Sequence, residues 1–251
     1  FAQGYGSDTT GIYSHAQGYF TTAEGAAAHS EGLFTSASGD YSHAEGYYTT
    51  ASHSYSHAEG QGSVAKAGAA HAEGYYTTAS GGAAHSEGYF TLASGNRSHA
   101  EGYFTTASNV GSHAEGKGSL ASGAQAHAEG YFATASGNYS HAEGYLTHAS
   151  SVAAHAEGYR TVAAAYAHAE GWQTNASQQY SHAEGNATMA SGVGAHAEGL
   201  KTLASGQYAH TEGRLTTGSG GYSHAEGQET LAGGTSAHTE GYQTFADGNY
   251  S

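Results

Sequence analysis

Ser42-His43-Ala44-Glu45-Gly46 recurs, with small substitutions, seventeen times in this chain of 251 residues. The repeat histidines fall at 15, 29, 43, 57, 71, 85, 99, 113, 127, 141, 155, 168, 182, 196, 210, 224 and 238. Every step is 14 residues except the 13 from His155 to His168. A short fixed period without interruption marks stacked coils rather than a globule. It also sorts His and Glu into columns, so whatever chemistry they carry is collective.

Taking the repeat histidine as position 0, positions −1, +1 and +3 are Ser or Ala, then Ala, Ser or Thr, then Gly. Side chains alternate across a strand. Ser42, Ala44 and Gly46 therefore share one face, and His43 and Glu45 the other. A second alternating run has Thr or Ser at +6 (Thr49, Thr77, Ser119) and Ala at +8 (Ala51, Ala79, Ala121, with Gly218 the exception). These small residues are expected inside, with the Thr hydroxyl bonded to backbone. Turns are expected at Gly46-Tyr47 and at Gly95-Asn96 or Gly137-Asn138, with positive φ on the Gly or Asn. The apolar period is 2 and glycine is everywhere, so no helix is expected.

The sequence thus predicts an all-β fold, a thin parallel β-roll of about 18 coils with 14 residues per coil, stacked about 4.8 Å apart. A single repeat domain over residues 1–251 is expected. Phe1-Ala2-Gln3-Gly4 reads as an eighteenth copy, and the chain opens and closes inside the register, as a segment of a longer fibre would. The 13-residue copy must lose its residue in a turn, because a deletion inside a strand would turn every later side chain to the wrong face.

Composition narrows the function. There is no Cys, which excludes a disulfide framework and thiol catalysis. Only 6 Lys and Arg stand against 21 Asp and Glu, so nucleic acid is not an expected partner. Sixteen of those acids lie two residues after a repeat His, and protonation of the imidazoles would cancel most of the formal charge of −15. No apolar span is present, and no membrane contact by this segment is expected. An interior of Ala, Ser and Gly buries little apolar area at about 25 cal/mol per Å², so the roll is expected to associate with other chains.

The frame Ser-x-Ala-x-Gly, two residues, then Ser/Thr-x-Ala-x-Gly, in units of 14, resembles the head repeats of trimeric autotransporter adhesins, typified by the YadA head. The resemblance runs along the whole chain. It implies a left-handed β-roll, a homotrimer around a threefold axis, and an extracellular, cell-surface role in rigid extension or adhesion. It departs at His43 and Glu45 and their equivalents, where the usual frame has Val and Ile. The His-Ala-Glu-Gly variant also resembles repeats of phage tail fibres and cell-surface proteins, which implies an alternative role in a virion fibre that recognises a receptor.

Two candidate surfaces follow. The resemblance turns the His–Glu face toward the axis, where it would form a polar zipper between chains: His43, Glu45, His57, Glu59, His71, Glu73, His99, Glu101, His113, Glu115, His127, Glu129, His141, Glu143, His155, Glu157, His182, Glu184, His196 and Glu198. Alternating His⁺ and Glu⁻ is the arrangement expected to relieve repulsion. A solvated charge ladder is the plainer reading of the same face. The +4 column of Tyr47, Tyr75, Tyr89, Tyr103, Tyr131, Tyr145, Tyr159 and Trp172 is a possible adhesive edge for a host-surface glycan or matrix protein. Its plainer reading is stacking between coils. His-x-Glu could ligate a metal, but seventeen equal sites exceed what a metal function needs, so neither metal nor cofactor is expected. Ser42 and His43 point to opposite faces and cannot form a nucleophile–base pair. An enzyme is not expected, and the inward Thr column argues against ice binding.

Overall fold

The structure, a computed structural model, describes residues 1–251. The chain is a parallel β-solenoid of about 18 turns, each turn made of one longer and one shorter strand. It divides into two compact units, Phe1–Gln125 and Ala126–Ser251.

In the first unit a typical coil has strands His43–Tyr47 and Thr50–Ala51. Both pair in parallel with the equivalent residues one repeat on: His43 with His57, Ala44 with Ala58 and Glu45 with Glu59 on the longer strand, and Thr50 with Val64 on the shorter. The second unit follows the same scheme, with His141 opposite His155, Glu143 opposite Glu157 and Thr134 opposite His148. Identical sequences in register put like residue beside like residue down each ladder.

The alternation inferred from sequence places the interior correctly. Ser42, Ala44, Thr49 and Ala51 are all buried, and so are their equivalents in successive coils. Every buried apolar side chain in the chain is alanine, and the largest wholly buried side chains are threonines. The interior therefore owes little to hydrophobic burial and much to its backbone ladders. The Thr hydroxyls behave differently from expectation. Those of Thr49 and Thr105 are buried without a hydrogen-bond partner. Those of Thr35 and Thr91 instead meet the side chains of Ser30 and Ser86, at 2.7 and 2.8 Å. The difference lies at +1: a Ser there reaches the hydroxyl, whereas the usual Ala offers only a methyl.

The turns also depart from expectation. Strands run on through +4, and besides the +3 glycines positive φ falls at +5 and +12, on aromatic residues such as Tyr48 at 56°, Phe90 at 53°, Tyr41 at 58° and Tyr139 at 60°, and also on alanines such as Ala27 at 54°. Left-handed backbone costs an L-residue roughly 1–2 kcal/mol; Tyr48 and Ala27 alike donate their N–H to the preceding coil, to Leu33 and Ile12, and where rings are present they also stack. Gly95 and Gly137 do not have positive φ. They are needed for close approach, because a Cβ on either would overlap the backbone of Asn109 or Ser151 in the next coil. Gly46 meets both demands: its φ is 117°, and a Cβ would overlap the carbonyl oxygen of Gly60. The Ser at −1 closes the second turn. Ser42 Oγ donates to the Gly39 carbonyl at 2.6 Å, and Ser98 and Ser140 donate to Gly95 and Gly137 at 2.7 and 2.6 Å.

The 13-residue coil loses its residue in the second turn, as parity requires. Register is kept on both sides, with His155 opposite His168 and Ala163 opposite Ala176. Ala164 does two jobs there. Its N–H donates to Ala176, as Ser38 does to Ala51, and its carbonyl accepts from Ala167, as Gly39 does from Ser42.

Two substitutions test this packing. Gly130→Ala, at φ 117° against the Gly144 carbonyl, is expected to cost about 1–3 kcal/mol, read as a lower denaturation midpoint. Ala100→Ser, which copies the Ser86–Thr91 pair beneath the unpartnered Thr105 hydroxyl, is expected to stabilise by about 1 kcal/mol. A neutral or lower midpoint would mean that the hydroxyl is already satisfied.

Candidate functional site

The His–Glu face is built by the outward positions of the longer strands. Within a coil, His43 Nε2 lies 3.4 Å from Glu45 Oε2, and the spacing is 3.4–4.0 Å in other coils, the longest at His196 and Glu198. A strong charge-assisted hydrogen bond is about 2.7–2.9 Å, so these pairs are loose and the carboxylates retain acceptor capacity. The Glu45 side chain is 50% exposed and that of His43 35%. Nε2 of His57, His71, His99, His141 and His155 is nonetheless shielded within the chain and lacks a hydrogen bond of good length.

Down the axis the pattern differs from the expected alternation. Imidazole stacks on imidazole: His57 and His71 have ring centroids 4.6 Å apart and planes within 1°, and in the second unit His141 and His155 are at 4.9 Å and 3°. Alternation of His and Glu holds only across a coil, because in-register pairing of identical coils forces like onto like. The consequence is electrostatic. Burial, and then the charges that His71 and His43 would carry, hold the His57 imidazole below its usual range near 6.5. Burial and neighbouring imidazoles act in the same direction on His196 and His224, against the opposing pull of Glu198 and Glu226. For these three residues the neutral form is favoured at neutral pH, and their positive charge does not cancel the adjacent carboxylates.

Two sets bring possible metal-ligand atoms within 4.8 Å of one another: His196, Glu198 and His210, and Glu226, His238 and Glu240. The His196 and His210 rings stack with centroids 4.8 Å apart and planes 15° from parallel. In-plane lone pairs then run side by side instead of converging, whereas zinc needs about 2.0–2.1 Å to each nitrogen. At His196 and His210 the geometry does not favour a shared ion. The serines beside the histidines are buried on the opposite face, most of them closing a turn as Ser42 does with Gly39, so they do not face the imidazoles.

The +4 column forms one edge. Tyr75, Tyr89 and Tyr103 stack at 4.8 and 4.9 Å, and Tyr131, Tyr145 and Tyr159 at 4.9 Å, with Trp172 on Tyr159 at 3.9 Å. The +5 residues add a second column turned edge-on to the first, as in Tyr47–Tyr48 at 4.5 Å and Tyr103–Phe104 at 4.6 Å. Stacking between coils, the plainer reading of this edge, is therefore present. Tyr47, Tyr89, Tyr103, Tyr131, Tyr145 and Trp172 are still more than one-third exposed, while Tyr75 and Tyr159 are half-buried. Lys117 closes the column over Tyr103, with Nζ 5.5 Å from the ring centroid. Toward the end of the second unit the edge turns polar. There Glu229 accepts from Gln243 at 2.8 Å and from Gln228 at 3.3 Å. These bonds, with Arg214 nearby, hold its carboxyl below the usual range. The sequence pattern located the +4 column but missed the +5 rings as a turn feature, because aromatic residues are poor predictors of positive φ.

Residues 72–98 and 114–140 each match the YadA head domain repeat. Each match covers nearly two coils and includes the His and Glu positions. No curated protein matches the chain. The YadA head is a cell-surface structural element of adhesins, not of enzymes.

The stacked imidazoles make a signed prediction. Where folding lowers a His pKa, the unfolded chain binds protons first as pH falls, so the stabilisation is complete above about 6.5 and is lost as pH drops through the folded value. Thermal melts followed by circular dichroism are expected to show a lower Tm near pH 5 than near pH 8. An equal or higher Tm at the lower pH would contradict lowered pKa values at His57, His196 and His224.

Proposed function

We propose that residues 1–251 serve as one structural repeat domain of an extracellular, homotrimeric, adhesin-type fibre, holding and displaying the surface along its length. The observation that carries this reading is the combination of an interior limited to Ala, Ser, Thr and Gly with an outward face of loosely paired His and Glu. A roll so thin gains little from its own core, and two YadA head repeats lie within it. The His–Glu face is the surface assigned to neighbouring chains. Its half-exposed carboxylates have acceptor capacity to spare, and shielded Nε2 atoms lack a good partner within the chain. A contact between chains that supplied donors to the glutamates would use that acceptor capacity. The aromatic edge is assigned to the outside, where it is available for adhesion to a host-surface glycan or matrix protein.

The chain has no cysteine, which makes a direct test simple. Glu143→Cys on the His–Glu face is expected to give disulfide-linked chains under mild oxidation, and Tyr222→Cys on the second-turn edge is expected to give none. Sedimentation equilibrium of the unmodified protein is expected to return three times the chain mass. A folded monomer, or cross-linking through Tyr222→Cys alone, would overturn the reading.

A further inference from the structure

We infer that Trp172 and the amides beside it form a subsite for a neutral saccharide. Trp172 is the one tryptophan in the chain and stands where the column otherwise favours tyrosine. One face of its indole lies on Tyr159, with ring centroids 3.9 Å apart and planes within 7°. In the coil on its other side the paired residue is Asn186, which has no ring to continue the stack. The column ends there, and the indole remains 47% exposed. Tyr89 is stacked on both faces, by Tyr75 and Tyr103, and Tyr103 is capped by Lys117, so these rings offer only their edges to a ligand. Tyr47 and Tyr75 also have the amide Gln61 for a neighbour, but Tyr75 is half-buried and neither ring has the area of an indole.

The surroundings specify the ligand class. From Trp172 through Gln173, Asn186 and Ala187 to Leu200, the +4 and +5 positions carry no charge; Arg160 and Lys201 stand on either side. Gln173 and Asn186 are exposed amides, each with donors and an acceptor. A flat apolar platform flanked by neutral hydrogen-bonding groups complements a pyranose, which presents C–H bonds on one face and hydroxyls around its rim. The platform is also preorganised. Trp172 ends the strand His168–Trp172, its carbonyl accepts from Ala187 N–H at 2.7 Å, and its ring is fixed by Tyr159. Little ordering cost is left for binding.

The assignment rests on the reading of the aromatic edge as the adhesive one. The sole tryptophan is its own probe. The full-length protein is titrated with neutral oligosaccharides of glucose, galactose, mannose and N-acetylglucosamine while indole fluorescence is followed. The same sugars, immobilised, are tested against wild type, Trp172→Ala and Tyr222→Ala, a change on the second-turn edge, with circular dichroism melts to confirm folding. The expected result is a saturable fluorescence change with at least one sugar, and about tenfold weaker binding for Trp172→Ala with Tyr222→Ala unchanged. If Trp172→Ala unfolds, Asn186→Tyr, which continues the stack over the open face, is expected to block binding instead. Sugar binding that survives in folded Trp172→Ala, with no fluorescence change, overturns the subsite and leaves the adhesive edge standing. No sugar binding by any variant overturns the subsite and the glycan-adhesive reading together. A fluorescence change with a proline-rich peptide and none with sugars overturns the saccharide assignment.

Discussion

The distance between the two ladders governs everything else in this molecule. Nothing larger than threonine lies between them, and glycine at +3 sits so close to the next coil that a methyl group has no room. Such thinness leaves hydrophobic burial a minor contributor. Cohesion comes from parallel backbone hydrogen bonds and from contacts between equivalent side chains on the outside. The outer columns are therefore part of the fold's stability as well as its surface, which is unusual for residues that are half exposed.

From that constraint follows the character of the His–Glu face. Because the coils must stay in register to keep small residues inside, imidazole is forced onto imidazole and carboxylate beside carboxylate. Burial and the neighbouring imidazoles hold His57, His196 and His224 below the usual histidine range. The face is consequently acidic in character near neutral pH at His57, His196 and His224, and it offers more acceptors than donors. A surface of that kind calls for donors from outside the chain.

Much of this was legible in the sequence. The period of 14, the alternation of Ser42, Ala44, Thr49 and Ala51 toward the interior, and the turn location of the missing residue near Ala164 all follow from strand geometry alone. What was not legible depends on contacts between coils. Positive φ on Tyr48 and Tyr41 is intrinsically unfavourable, yet Ala27 and Ala83 share it, and in each case the N–H donates to a carbonyl of the preceding coil. The closeness demanded at Gly95 cannot be separated, by sequence, from a demand for positive φ. The Ser at −1 reads as one more small inward residue until its hydrogen bond to the +10 carbonyl is seen. Whether a given Thr hydroxyl finds a partner turns on a neighbouring Ser, either five residues before it, as Ser86 is to Thr91, or one coil back, as Ser63 is to Thr77.

Ala164, which fills two roles where other coils use two residues, shows where this architecture tolerates change. A turn absorbs the loss of one residue with the ladders on both sides intact, while the strands accept changes only in pairs. Whole coils are self-contained multiples that preserve every column. Gene slippage within such an array adds or removes length without disturbing the faces that remain, so reach is a heritable variable that selection can adjust separately from what the surface recognises.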